Sequence, residues 1–171
     1  MNRWTKTLTV ATAVLASALV GAPSGLAQQS VEPVTALLRH EAAGPPKVVN
    51  LRVGEHAHFD RVVIDVRGTV PTRTVRYVHR LTYDASGEPV PLHGRRFLEV
   101  TLFPARTYRA DGTSVYRGPQ LQQYSMPVLR GVAFTGDFEG YVSFGIALRR
   151  HVAYHVSVLH SPNRIVIDLH H

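Results

Sequence analysis

The chain contains no cysteine. That excludes disulfide staples and a thiol nucleophile, and it leaves no lipobox cysteine to carry a lipid behind an export signal. There is no G-x-S-x-G elbow, no H-E-x-x-H helix and no glycine-rich phosphate loop leading into a lysine. Covalent hydrolysis, helix-borne zinc hydrolysis and nucleotide binding therefore have no visible carrier. A spanning helix needs roughly 20 consecutive apolar residues, and no window supplies them, so no transmembrane span is expected in the mature chain. Sustained 3.6-residue apolar periodicity is also missing, which argues against a helical domain. Lysine is nearly absent: past position 27 the only one is Lys47, and arginines make up the other cations.

What the chain does have begins with an export signal. Arg3 and Lys6 precede an apolar stretch from about Leu8 to Val20, and small residues follow. This is the layout of a signal peptide over 1–27, cut after Ala27 with Gly25 three positions back; left uncut, it would be an anchor. Residues 28–46, "QQSVEPVTALLRHEAAGPP", end in Gly-Pro-Pro and read as a flexible leader holding at most one helical turn around Val34 to His40. The remainder, 47–171, has the size of one domain that can bury a core without staples. The formal net charge of +7 falls to +5 when Arg3 and Lys6 leave with residues 1–27, and a basic exported protein would be drawn to anionic polymers or head groups at the cell surface. The arginines are scattered and no recognition motif accompanies them, so nucleic acid is not an expected partner.

From Lys47 onward the chain alternates short apolar segments with turn chemistry. Eight strands are expected: Val48 to Val53, Arg61 to Val66, Thr74 to Val78, Phe97 to Phe103, Val128 to Phe134, Tyr141 to Leu148, Tyr154 to Leu159 and Arg164 to Leu169. That pattern reads as an all-β, two-sheet sandwich or barrel. "TGDFEG", between Phe134 and Tyr141, has two glycines bracketing Asp137 and Glu139 and is expected to be a hairpin loop. "YDASGEPVPLHG", from Tyr83 to Gly94, is a second turn-rich link. Residues 104–127, with Tyr108, Tyr116 and Tyr124, lack periodicity; loops of that length are uncommon in compact domains and tend to be functional or disordered.

One motif is written twice. "DRVVIDVRG" starts at Asp60 and "NRIVIDLHH" at Asn163. Alternation along a strand puts Val62, Ile64 and Val66 on one face and Arg61, Val63, Asp65 and Arg67 on the other, and it likewise separates Ile165, Ile167 and Leu169 from Arg164, Val166, Asp168 and His170. Arg61 and Asp65, four residues apart on one strand, are separated by roughly 13 Å and cannot pair. If the copies were antiparallel neighbours, Arg61 would oppose Asp168 and Asp65 would oppose Arg164, each pair contributing roughly 0.2 to 1 kcal/mol. If they lay in different sheets, two Arg/Val/Asp faces would be open to solvent or ligand.

The ordered series "VVNLRVGEHAHFDRVVIDVRG", "SGEPVPLHGRRFLEVTLFPA", "LRGVAFTGDFEGYVSFGIALRR" and "PNRIVIDLHH" resembles the AMIN-like domains of secreted or lipid-anchored actinobacterial envelope proteins. Those domains look like relatives of the AMIN domain that targets cell-wall amidases. The resemblance implies a β-sandwich with related strand motifs on the outer faces of its two sheets, hence the two-sheet placement of the repeat. It also implies a non-catalytic, extracytoplasmic envelope module, with peptidoglycan binding by analogy to the amidase version. The chain departs from the pattern in having no lipobox cysteine, and no amidase domain is expected to follow.

Enzyme readings have thin material. His56 and His58, or His151 and His155, share strand parity, but a zinc site needs a third ligand; no metal and no cofactor are expected. Asp137 and Glu139 are the best acid/base pair, and turn chemistry accounts for them without catalysis. Binding has better material. Tyr108, Tyr116 and Tyr124 offer faces for sugar stacking, and Arg106, Arg109 and Arg117 offer forks for carboxylates. The expected partner is peptidoglycan or another anionic wall component, bound at these six residues with Asp137 and Glu139 beside them. Arg61, Asp65, Arg164 and Asp168 form the repeated outer-face motif. The alternatives are a module docking an envelope protein through a sheet edge or the long loop, and a secreted hydrolase.

Overall fold

The computed structural model describes residues 44–171. The expected signal peptide and the leader as far as residue 43, with its possible helical turn, lie outside the described residues. Nine strands follow in order: β1 (Lys47–Glu55), β2 (Phe59–Arg67), β3 (Thr72–Val78), β4 (Arg96–Phe103), β5 (Leu121–Gln123), β6 (Leu129–Phe138), β7 (Tyr141–Leu148), β8 (Tyr154–Leu159) and β9 (Arg164–His170). They form two antiparallel sheets, ordered β1-β2-β9-β8 and β3-β4-β7-β6-β5. The eight expected strands are all present. The ninth, β5, is three residues long and carries too little pattern to be seen in the sequence.

Alternation explains the core. Val62, Ile64 and Val66 of β2 and Ile165, Ile167 and Leu169 of β9 point inward from one sheet. They meet Leu98, Val100 and Leu102 of β4 and Val142, Phe144, Ile146 and Leu148 of β7 from the other. Burying each such side chain contributes roughly 1.5–3 kcal/mol. The outer face of β7 is covered as well. Leu81, Val90 and Leu92, from the connection between β3 and β4, pack on Ala133 and Ala147 as a second cluster. The floor beneath them is kept low. A Cβ on Gly145 would lie 2.6 Å from Leu81 Cδ1, and one on Gly131 would lie 2.7 Å from Leu92 Cδ2. What reads as a turn-rich link is thus a strap across the five-stranded sheet.

The β6–β7 hairpin is tighter than the sequence suggests. Phe138 pairs with Tyr141, so the loop is only Glu139 and Gly140, both at positive φ (49° and 84°), as a two-residue hairpin with matching twist requires. Asp137 therefore belongs to β6 and not to the loop.

The repeat settles differently from what the resemblance implies. β2 and β9 are not in different sheets; they are antiparallel neighbours in one sheet, with Arg61 opposite Asp168, Val63 opposite Val166 and Asp65 opposite Arg164. Only one of the two expected ion pairs forms. Arg61 Nε and Nη2 donate to Asp168 Oδ1 and Oδ2 at 2.7 and 2.8 Å. Asp65 instead accepts both of its bonds from Arg52 of β1, each 2.8 Å, and Arg164 Nε donates to the Pro162 carbonyl. A neighbouring strand on the other side supplied a partner that the two-strand arithmetic did not contain.

Candidate functional site

The long segment after β4 is ordered, and its first half lies along the outer edge of β1. Val48 N–H donates to Arg106 O (2.8 Å), Arg106 N–H to Pro46 O (3.0 Å) and Arg117 N–H to Val49 O (2.9 Å). An edge strand left bare is a template for unwanted pairing, and here the chain covers its own edge. Three side chains hold the cover in place. Asp137 Oδ2 accepts from the backbone N–H (2.6 Å) and hydroxyl of Thr107, tying the segment's start to β6. Asp111 accepts from Thr113 N–H at 2.9 Å, shaping a turn in which Arg109 N–H donates to Thr113 O. That backbone N–H is also the chief cause of the lowering of the Asp111 carboxyl pKa, with Arg109 adding a smaller pull.

Tyr116 is the third anchor. It is 8% exposed and packs with the main core, its ring stacked on Phe134 at 5.3 Å and tilted against Phe144 at 5.8 Å. Its hydroxyl donates to Pro119 O at 3.0 Å, and burial pushes its pKa far above the ordinary tyrosine value. Gly118 lets this happen: a Cβ there would lie 2.6 Å from Leu51 N, inside β1.

Between this cover, the outer rows of β1 and β2 and the turn before β9 lies a hollow of about 510 Å³. Its walls include Asn50, Arg52, Asp65, Arg67, Arg109, Ser114, Arg117 and Asn163. Four arginines thus surround a single carboxylate, Asp65, and Arg52 already occupies both of its oxygens. That contact raises the guanidinium pKa further. Arg67, Arg109 and Arg117 are exposed and have no carboxylate partner among the described residues. Asn163 Nδ2 donates to Gly68 O at 2.7 Å and its Oδ1 contacts His160 Nδ1, which fixes the rim. The hollow presents guanidinium donors together with amide, hydroxyl and carboxylate acceptors.

The structure disperses the expected site residues. Arg109 and Arg117 line the hollow. Arg106 and Tyr108 do not line it; the Arg106 guanidinium lies 5.5 Å from the Tyr108 ring centre. Tyr116 is in the core, and Tyr124 is half-buried against it, its pKa raised by that burial. Asp137 is engaged with Thr107, and Glu139 stands at the exposed hairpin tip. Arg61 and Asp168 neutralise each other on the outer face of the four-stranded sheet, with the Arg61 guanidinium 4.9 Å above the Phe59 ring. Arg52, Arg67, Asn50 and Asn163 join the hollow without having been singled out. The legible signal was Arg67 at the end of the repeated motif, on the same strand face as Asp65. The histidines scatter: His56 stacks on Phe59 and His151 on Tyr77. Among the described residues no three His, Asp or Glu side chains converge as a metal site.

No curated relative matches the chain. A model of the AMIN-like domain matches residues 46–171, and the chain belongs to the AMIN-like domain family.

Proposed function

We propose that this protein is an exported, non-catalytic module of the cell envelope that binds peptidoglycan in the hollow beside β1. Membership of the AMIN-like family suggests the envelope setting. The reading is carried by the hollow's chemistry: three free guanidiniums, Arg67, Arg109 and Arg117, next to Asn50, Ser114, Asn163 and the Arg52–Asp65 pair. A glycopeptide offers carboxylates for guanidinium forks together with amide and hydroxyl donors that need acceptors, and this wall supplies both kinds of partner.

Sedimentation with purified wall sacculi tests the reading. The wild-type protein is expected to pellet with the sacculi. An R67Q/R109Q/R117Q variant is expected to be released about tenfold more readily, since each lost charged hydrogen bond is worth roughly 1.5–3 kcal/mol before solvent screening. Equal retention of the two proteins overturns the reading. Docking of an envelope protein is the second reading. It draws on the edge strands β3 and β8, bridged at one point by the Tyr154 hydroxyl donating to Val75 O, which flank a hollow of about 640 Å³ whose lining includes Val70, Val75, Val156 and Val158. Complete absence of wall retention moves the weight to that edge.

A further inference from the structure

The opposite end of the sandwich, where β4 and β6 begin and β3 and β7 end, gathers cations at its surface, and the one carboxylate at the start of β6, Asp60, is fully buried. Arg95, Arg130 and Arg149 line a hollow of about 470 Å³ together with His93 and Gly94. Arg95 also borders a second hollow of about 360 Å³, shared with Tyr77, His79, Arg96 and His151, so the two adjoin at one residue along a basic trough. Neither wall contains a carboxylate, and none of these arginines has an ion-pair partner among the described residues.

Backbone contacts hold the like charges together. Arg95 N–H donates to Leu148 O, and Arg149 N–H donates to Val128 O, each at 2.8 Å. Arg130 is the extra residue of the bulge between the Leu129–Leu148 and Gly131–Ala147 pairs, and its carbonyl accepts from Tyr124 N–H at 2.7 Å. Gly94 allows the chain to press against the end of β7, where a Cβ would lie 3.0 Å from that of Ala147. Guanidiniums held this way repel one another unless an anion sits between them.

We propose that this trough is a second binding site, and that its ligand is a chain of phosphodiesters carried on a wall polymer. The hollow beside β1 mixes donors with acceptors. This trough offers guanidinium donors and no side-chain carboxylate, amide or hydroxyl acceptor apart from the tyrosine, so it fits a ligand whose charged groups only accept. Phosphate oxygens matched by guanidinium forks meet that description, and two adjoining hollows favour repeated phosphates over a single one. A flat membrane surface fits less well. The exposed large apolar side chains, Phe103, Phe138, Tyr141 and Leu159, lie at the far ends of β4, β6, β7 and β8 and leave nothing here to insert into lipid. Nucleic acid would want a ring to stack on, and the one tyrosine in the trough, Tyr77, is already stacked on His151 at 4.1 Å and bonded through its hydroxyl to Val152. The inference rests on the envelope placement proposed above, and not on the hollow beside β1.

Two variants against two probes test it. Titration with soluble poly(glycerol phosphate) is expected to show binding by wild type and by R67Q/R109Q/R117Q. An R95Q/R130Q/R149Q variant is expected to bind at least tenfold more weakly, with a slope of log affinity against log salt shallower by about 2, as three phosphate contacts on a single chain would give. Sacculi stripped of phosphate polymer should show the reverse, retaining R95Q/R130Q/R149Q and releasing R67Q/R109Q/R117Q. If sacculi behave so while the phosphate chain binds neither wild type nor variant, the second site is wrong and the first stands. Equal loss of phosphate binding by both variants, binding of inorganic phosphate as tight as that of the chain, or stronger binding to phosphatidylglycerol vesicles overturns the proposal. So does a lower melting temperature of R95Q/R130Q/R149Q at low salt, because removing unrelieved repulsion should raise it.

Discussion

Three aspartates on the four-stranded sheet show how local surroundings assign a carboxylate its work. Asp60 is fully buried. Its Oδ2 accepts from the N–H groups of Val128 and Leu129 at 2.8 and 2.7 Å, and its Oδ1 lies 3.1 Å from His171 Nε2, so one side chain ties the start of β6 to the end of the chain. Asp65 holds Arg52 at the rim of the hollow. Asp168 sets register. The two bonds from Arg61 hold its carboxyl below the ordinary value of 3.8, partly offset by burial and assisted by the charges of Arg61, His56 and His155. A carboxyl so lowered favours the folded state at every pH above 3.8, and the gain disappears as pH falls through the lower folded value. Asp168→Asn is therefore expected to cost about 1 kcal/mol near neutral pH and to flatten the acid side of the stability curve. Denaturant midpoints at about pH 7 and pH 3 check this; an equal deficit at both overturns it. The Arg61–Asp168 pairing was legible from residue numbers alone, because opposed residues of antiparallel strands share one sum. The Arg52–Asp65 contact was not, because it reaches diagonally to a third strand whose register a bulge shifts between Val48 and Asn50.

Among the elements, the segment after β4 carries the most consequence for the site. Its length marked it as either functional or disordered, and its tyrosines suggested a stacking surface. The fold uses them unequally, since Tyr116 becomes core while Tyr108 stays near the surface beside Arg106. Sequence alone could not make that division, because it depends on which ring meets Phe134 and Phe144 from the opposite side. The strap between β3 and β4 was hidden for the same reason: small residues in β6 and β7 announce nothing until Leu81 and Leu92 arrive on them. The cover over β1 yields a direct test. Gly118→Ala puts a methyl group against Leu51 N, and backbone cannot yield as a side-chain end can. The change should cost about 1–3 kcal/mol and carry Arg117 away from the hollow. Sacculus retention, measured at a temperature where both proteins are folded, should fall along with stability. A stability loss with retention intact would mean that the position of Arg117 does not matter to binding.

At the scale of the whole molecule, the positive charge of +7 is unevenly placed. Arg67, Arg109 and Arg117 gather at one hollow and Arg95, Arg130 and Arg149 at the other. The closest opposite charges, Arg52–Asp65, Arg61–Asp168 and Arg76–Glu99, are in direct contact at 2.7–2.8 Å. Salt acts differently on the two populations. Its screening length is about 10 Å at 0.1 M, so it weakens repulsion between spaced cations more than it weakens ion pairs already touching. Raising salt from about 20 to 300 mM should therefore stabilise the free protein. Relief of about 1 kcal/mol would lift the melting temperature by roughly 4 °C in a domain of this size. The same salt should release the protein from the proposed anionic ligand, because there the long-range term is attractive. Stability and binding moving in opposite directions along one salt series is the signature of cationic sites held ready by the backbone. If the melting temperature fell together with retention, the contact pairs would dominate the electrostatics, and the two arginine groups would carry no strain for a ligand to relieve.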